Sequence, residues 1–183
     1  CSNEGSVHIY SGQLGTLIRS HYGIQGDAWF GWDVEPVGEI STPPDFVPDY
    51  AVSSPRWDGP LGANQGMIQF FSGATGLPIL DSGGMPVTLE GAGGGASIGK
   101  AISSGEDFDN DGYQDLVCSG ESDPYNPVGS RAYVFAGPFD GRIIWSPTNH
   151  PGQSNSGFGS FAELVGDSDN DGYRDLAYTD IGT

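Results

Sequence analysis

Two stretches, Asp107-Phe-Asp-Asn-Asp-Gly-Tyr-Gln-Asp115 and Asp167-Ser-Asp-Asn-Asp-Gly-Tyr-Arg-Asp175, are nearly the same nonapeptide, set 60 residues apart. In each, carboxylates stand at positions 1, 3, 5 and 9, and Gly112 or Gly172 at position 6 lets the chain turn sharply enough to gather them. Four like charges held so closely repel one another, so the loop calls for a cation or for partial protonation. A hard divalent ion meets that need. Calcium fits best because it accepts about six to eight oxygens, among them a backbone carbonyl, assigned here to Tyr113 or Tyr173 at position 7. This reading names Asp107, Asp109, Asp111, Tyr113 and Asp115 as one ligand set and Asp167, Asp169, Asp171, Tyr173 and Asp175 as a second.

A helix-loop-helix calcium site begins in the same way but needs a bidentate Glu at position 12, where this chain has Cys118 or Tyr178. The residues that follow, Leu116-Val-Cys-Ser and Leu176-Ala-Tyr-Thr, read as buried strands and not as an exiting helix. Composition agrees with an all-β chain. Thirty-one Gly and 13 Pro among 183 residues are too many breakers for long helices and suit short strands joined by turns. With 36% hydrophobic residues, the chain is well supplied for one domain spanning 1–183 with a real core.

The net charge is −18 and only six residues are basic, which argues against binding nucleic acid or anionic membrane surfaces, since both need clusters of Lys and Arg. Cations are the fitting partners. No apolar run approaches the length of a bilayer span. Cys1 and Cys118 are the two cysteines and no zinc spacing exists, so a single disulfide and a lipidated Cys1 are both open readings. Millimolar calcium outside cells suits sites of modest affinity, so an extracellular, cell-surface or periplasmic setting is expected.

The repeat is larger than the acidic loop. An apolar-Gly pair precedes each loop, Ile98-Gly99 and Phe158-Gly159, and a third, Phe30-Gly31, lies 68 residues before Ile98. After that third pair comes Glu39-Ile-Ser-Thr-Pro-Pro-Asp45-Phe-Val-Pro-Asp49, a degenerate loop in which Asp45 and Asp49 keep the 5-to-9 spacing and Glu39 and Ser41 stand weakly for positions 1 and 3. These four are the weaker metal candidates, with Pro44 and Pro48 expected to hold the turn. Downstream of the loops, Met67–Leu80 and Ala132–Trp145 match each other and the N-terminal Val7–Ile18 as strand, Gly turn, strand, which predicts hairpins. Each period therefore offers four short strands: one around the apolar-Gly pair, one after the loop, and two in the hairpin.

Four strands repeated radially describe a propeller blade. On these residues the chain resembles the FG-GAP repeats of integrin alpha-subunit β-propellers and their bacterial relatives. Phe30-Gly31, Phe158-Gly159 and the variant Ile98-Gly99 match the first half of that signature, whereas Ser53-Ser-Pro55, Ser119-Gly-Glu121 and Thr179-Asp-Ile181 match its second half poorly. The resemblance implies an all-β propeller with calcium loops at 107–115 and 167–175. Repeats fall at about 30–97 and 98–157, with a third split between 158–183 and 1–29. Two whole blades and one split blade leave open strand edges, which invite pairing. Either the chain belongs to a longer propeller, or neighbouring copies complete it as a ring or a filament.

Catalytic motifs are scarce. His8, His21 and His150 lack ligand spacing, with His8 read in a strand and the other two in turns, and Gly91–Gly99 lacks the Lys-Ser/Thr of a phosphate loop and reads as a flexible connection between blades. The expectation is a non-enzymatic extracellular module for adhesion or self-assembly, in which calcium is structural. Its partners would be calcium and other copies of itself, an extracellular protein or a glycan. The alternative is a polysaccharide-binding or catalytic propeller domain using Trp29, Trp32, Trp57 and Trp145, which also suit packing between blades.

Overall fold

The computed structural model describes residues 3–121, 131–145 and 161–179, and within them every regular element is a strand. Strands β1 (Ser6–Tyr10) and β2 (Leu17–Tyr22) form a first, two-stranded sheet. A second sheet runs in the order β3 (Val34–Gly38), β4 (Asp49–Ser54), β5 (Met67–Phe71), β6 (Thr88–Glu90). A third repeats it with β7 (Ile102–Ser104), β8 (Leu116–Gly120), β9 (Arg131–Phe135) and β10 (Ile143–Trp145). A fourth pairs β11 (Ala162–Leu164) with β12 (Leu176–Tyr178). All ladders between these strands are antiparallel, and within each sheet consecutive strands are neighbours. The architecture is propeller-like and all-β.

The sheets stack face to face, with a separate apolar cluster between each neighbouring pair. Val7 and Phe30 meet Tyr50, Val52 and Phe71 between the first and second sheets. Between the second and third, Ala51, Ile68 and Phe70 pack with Ile98, Leu116, Cys118 and Phe139. Val117, Ala132 and Val134 then meet Ala162 and Leu164 of the fourth. Covered on both faces, β4 and β8 are buried at every position, which is why they read as continuous apolar and small residues. In β12, Leu176 packs on the third cluster while Ala177 and Tyr178 are exposed.

Three expectations need revision. The two described apolar-Gly pairs, Phe30-Gly31 and Ile98-Gly99, do not lie in named strands; they sit ahead of them, with Gly31 (φ 82°) and Gly99 (φ 86°) in the left-handed region that glycine tolerates. The outer strand of the second sheet is not Leu77–Leu80. Only Pro78 and Ile79 pair with β5 before the chain leaves on a turn in which Asp81 Oδ1 accepts the N–H groups of Gly83 and Met85, and pairing resumes at β6. His21 lies in β2 and not in a turn, with Nε2 2.7 Å from the Tyr50 hydroxyl and its ring against Phe71.

The Gly91–Gly99 connection is laced to the preceding loop: Gly94, Gly95 and Ser97 N–H groups donate to Leu61, Ala63 and Asn64 carbonyls. Phe158-Gly159, His150 and Cys1 lie outside the described residues. Cys118 is a buried free thiol whose pKa burial pushes up to about 12.

Candidate metal loops

Each acidic loop joins the first two strands of its sheet: residues 107–115 lie between β7 and β8, and 167–175 between β11 and β12. The two loops close by the same hydrogen bonds. Asp107 Oδ1 and Oδ2 accept the N–H groups of Asp111 (3.0 Å) and Gly112 (2.8 Å), and Asp167 does the same for Asp171 (3.0 Å) and Gly172 (2.9 Å). Asn110 (φ 59°) and Asn170 (φ 61°) take left-handed conformations ahead of Gly112 (φ 96°) and Gly172 (φ 93°). A Cβ at either glycine would meet nothing within 4 Å, so backbone angle and not space demands glycine there.

The structure brings together Asp107, Asp109 and Asp115, and separately Asp167, Asp169 and Asp175, each group with one carboxylate oxygen per residue within 4.8 Å of the others. Asp115 is fully buried, with Oδ2 accepting Phe108 N–H (2.6 Å) and Oδ1 accepting Gly137 N–H (2.9 Å) at the turn after β9. Burial raises its pKa. Asp109 Oδ1 is buried with no hydrogen-bond partner, an atom that wants a cation. An all-oxygen donor set with an orphaned buried carboxylate oxygen fits a hard divalent ion. Asp111 and Asp171 fall outside these groups of three; each instead accepts the N–H of Tyr113 or Tyr173.

Arg142, which the sequence reading did not single out, donates from Nη1 to Asp109 Oδ2 (3.0 Å) and from Nη2 to Asp111 Oδ2 (3.2 Å). It partly neutralises the first loop. Arg174, within the second loop, reaches Glu106 beside the first (2.9 Å) and ties the two together.

The degenerate loop is held differently. Asp49 Oδ2 accepts the N–H groups of Ile40 and Ser41 and the Ser41 hydroxyl, while Oδ1 accepts Gly73 N–H. Glu39 accepts Ser41 and Asp45 N–H groups, and Asp45 Oδ1 accepts Val47 N–H. These carboxylates do not converge as a group of three acids; backbone and hydroxyl donors occupy them.

A hydroxyl four residues beyond each ninth-position Asp was also missed. Ser53, Ser119 and Thr179 accept, through Oγ or Oγ1, the N–H groups of Asp33 (3.0 Å), Ala101 (3.0 Å) and Phe161 (3.2 Å). The Ser53 and Ser119 carbonyls accept Gly31 and Gly99 N–H groups. The shared 49/53, 115/119 and 175/179 spacing was readable from the sequence.

Near the inner strands a groove of about 540 Å³ is lined by Trp32, Glu35, Lys100, Phe161, Glu163 and Tyr178, among others. Trp32 stacks on Trp29 at 4.8 Å, and Arg56 lies 3.7 Å over Trp29. Trp145 packs on the cluster between the third and fourth sheets.

Residues 107–178, which take in both acidic loops, match the family described as FG-GAP-like repeat. No curated protein matches the chain.

Proposed function

We infer that the chain is a calcium-stabilised propeller module of the cell exterior, used for adhesion or for building a surface assembly, and that its metal is structural and its role non-enzymatic. The observation that carries the reading is the pair of matching carboxylate groups, one of which leaves Asp109 Oδ1 buried and unpaired. Calcium held there would neutralise the loop between two strands and lock the turn, stabilising the sheet by an amount that grows with the logarithm of ion concentration above the dissociation constant. Exposed loops of this kind suit the millimolar calcium outside cells. The experiment is a thermal melt in calcium and in chelator. Calcium should raise the melting temperature by several degrees, and Asp109→Asn with Asp169→Asn should abolish the rise; identical curves with and without the ion would reject the reading.

The groove supports a second reading, a glycan-binding module, because Trp32 and Phe161 are exposed aromatics beside acidic groups able to accept from sugar hydroxyls. A glycan array tests it: binding should be lost in Trp32→Ala, and an array without signal would remove it.

A further inference from the structure

We propose that a cleft between the second and third sheets binds a sugar that carries a carboxylate, of the class of a hexuronic acid, with Arg56 gripping the carboxylate and its neighbours reading the hydroxyls. Trp29, Arg56, Asn64, Ser97, Lys100 and Glu121 line the cleft. Its volume of about 250 Å³ falls below the roughly 300–1,000 Å³ of pockets for drug-sized ligands and suits one sugar unit. It opens where β3 and β7 begin and β4 and β8 end, at the opposite strand ends from the acidic loops, and it shares only Lys100 with the larger groove. Neither the metal loops nor that groove takes part.

Six basic residues stand against 24 acidic ones in this chain. Arg19 is occupied by the Ser72 and Ala74 carbonyls, and Lys100, Arg142 and Arg174 by carboxylates. Arg56 is different. Its guanidinium lies 3.7 Å over the Trp29 ring, and among the described residues its side chain has neither an acid nor a carbonyl to donate to. A guanidinium steadied on an indole keeps N–H groups free, and its planar fork matches a carboxylate through two parallel hydrogen bonds. The backbone N–H of Arg56 donates to the Ala28 carbonyl (3.1 Å), which keeps the fork beside Trp29. Trp29 (φ 61°), Asn64 (φ 51°) and Ser97 (φ 48°) all take the left-handed conformation, so strained backbone gathers around one cleft, as it does around ligand sites. Ser97 Oγ, almost buried, lies 3.3 Å from Glu121 Oε2 and 3.4 Å from the Asn64 carbonyl, and Glu121 also pairs with Lys100. Two cations against one carboxylate leave a single positive charge, which matches one carboxylate and not a doubly charged phosphate. The Asn64 amide and Glu121 supply donors and acceptors for ring hydroxyls, which an Asp or Glu side chain of a peptide would leave unfilled.

The test is calorimetric titration of the whole chain in calcium with glucuronate, its methyl ester, glucose, a glucose sulfate and poly-glutamate. Glucuronate should bind about tenfold or more tightly than each of the others, the gain expected of charge-assisted hydrogen bonds. Arg56→Lys keeps the charge but loses the fork, so it should weaken glucuronate binding by about tenfold with an unchanged melting temperature. Asn64→Gly keeps the left-handed turn and removes the amide, so it should weaken binding severalfold. Glucuronate that does not bind, or that binds no better than its ester or glucose, overturns the proposal. So does a sulfate or poly-glutamate that binds as tightly. Arg56→Lys that binds as well as wild type also overturns it, because a carboxylate held by calcium in the acidic loops would not sense Arg56.

Discussion

Phe46 holds a left-handed backbone conformation (φ 63°) with its side chain 88% exposed, in the degenerate loop that lacks the position-6 glycine of the other two. A side chain there costs about 1–2 kcal/mol, and Asn tolerates the conformation better. Phe46→Asn should therefore stabilise the fold by about 1 kcal/mol, read from chemical denaturation. His21 gives a pH signature. Burial, then the charge of Arg19, lowers its pKa, so the folded chain binds its proton less readily than the unfolded chain. Its contribution to stability is complete above the ordinary value of about 6.5 and is lost as pH falls through the lowered one. Melting temperature should drop across that window in the wild type, and His21→Gln should flatten the drop. At this scale the candidate carboxylates of both acidic loops were legible from spacing, but convergence was not resolved there. Asp111 and Asp171 fit the pattern as well as Asp109 and Asp169, and only the folded turn shows which oxygens meet.

Elements repeat more faithfully than sequence. Each hydroxyl at 53, 119 and 179 ties the start of an inner strand to the strand after the loop, although the surrounding residues depart from the family signature. Ser119→Ala would leave the Ala101 N–H without its acceptor in a buried setting and should cost about 1–3 kcal/mol, whereas Ser119→Thr, the residue type of the third copy, should keep the bond. Arg142 distinguishes the two acidic loops, since it pairs only with carboxylates of the first among the described residues. Its guanidinium opposes a second cation near Asp109 and Asp111, so Arg142→Gln should tighten calcium binding at the first loop by about threefold to tenfold in calorimetry and leave the second loop unchanged. The strands after the loops and the hairpins of the first and third sheets were legible from apolar runs and Gly turns. The outer strand of the second sheet was not, because Leu77-Pro-Ile-Leu80 carries the same apolar pattern and only the ladder shows that the chain turns away after Ile79.

Among the described residues, four sheets stacked through three apolar clusters give the acidic loops a shared place, each between the first two strands of a sheet. The all-β propeller-like architecture was legible from the repeat alone, since a 60-residue period with four strand signals leaves few other solutions. What the linear pattern did not carry is the contact between repeats, such as Asp33 Oδ2 accepting Ile102 N–H from the neighbouring sheet (3.0 Å), because such bonds join positions with no common spacing. The account turns on the two carboxylate groups holding an ion. An anomalous-difference map from crystals grown in millimolar calcium tests this most directly. It should show one peak about 2.3–2.6 Å from oxygens of Asp107, Asp109 and Asp115 and a second beside Asp167, Asp169 and Asp175. Maps without either peak, with these side chains turned toward solvent, would contradict it.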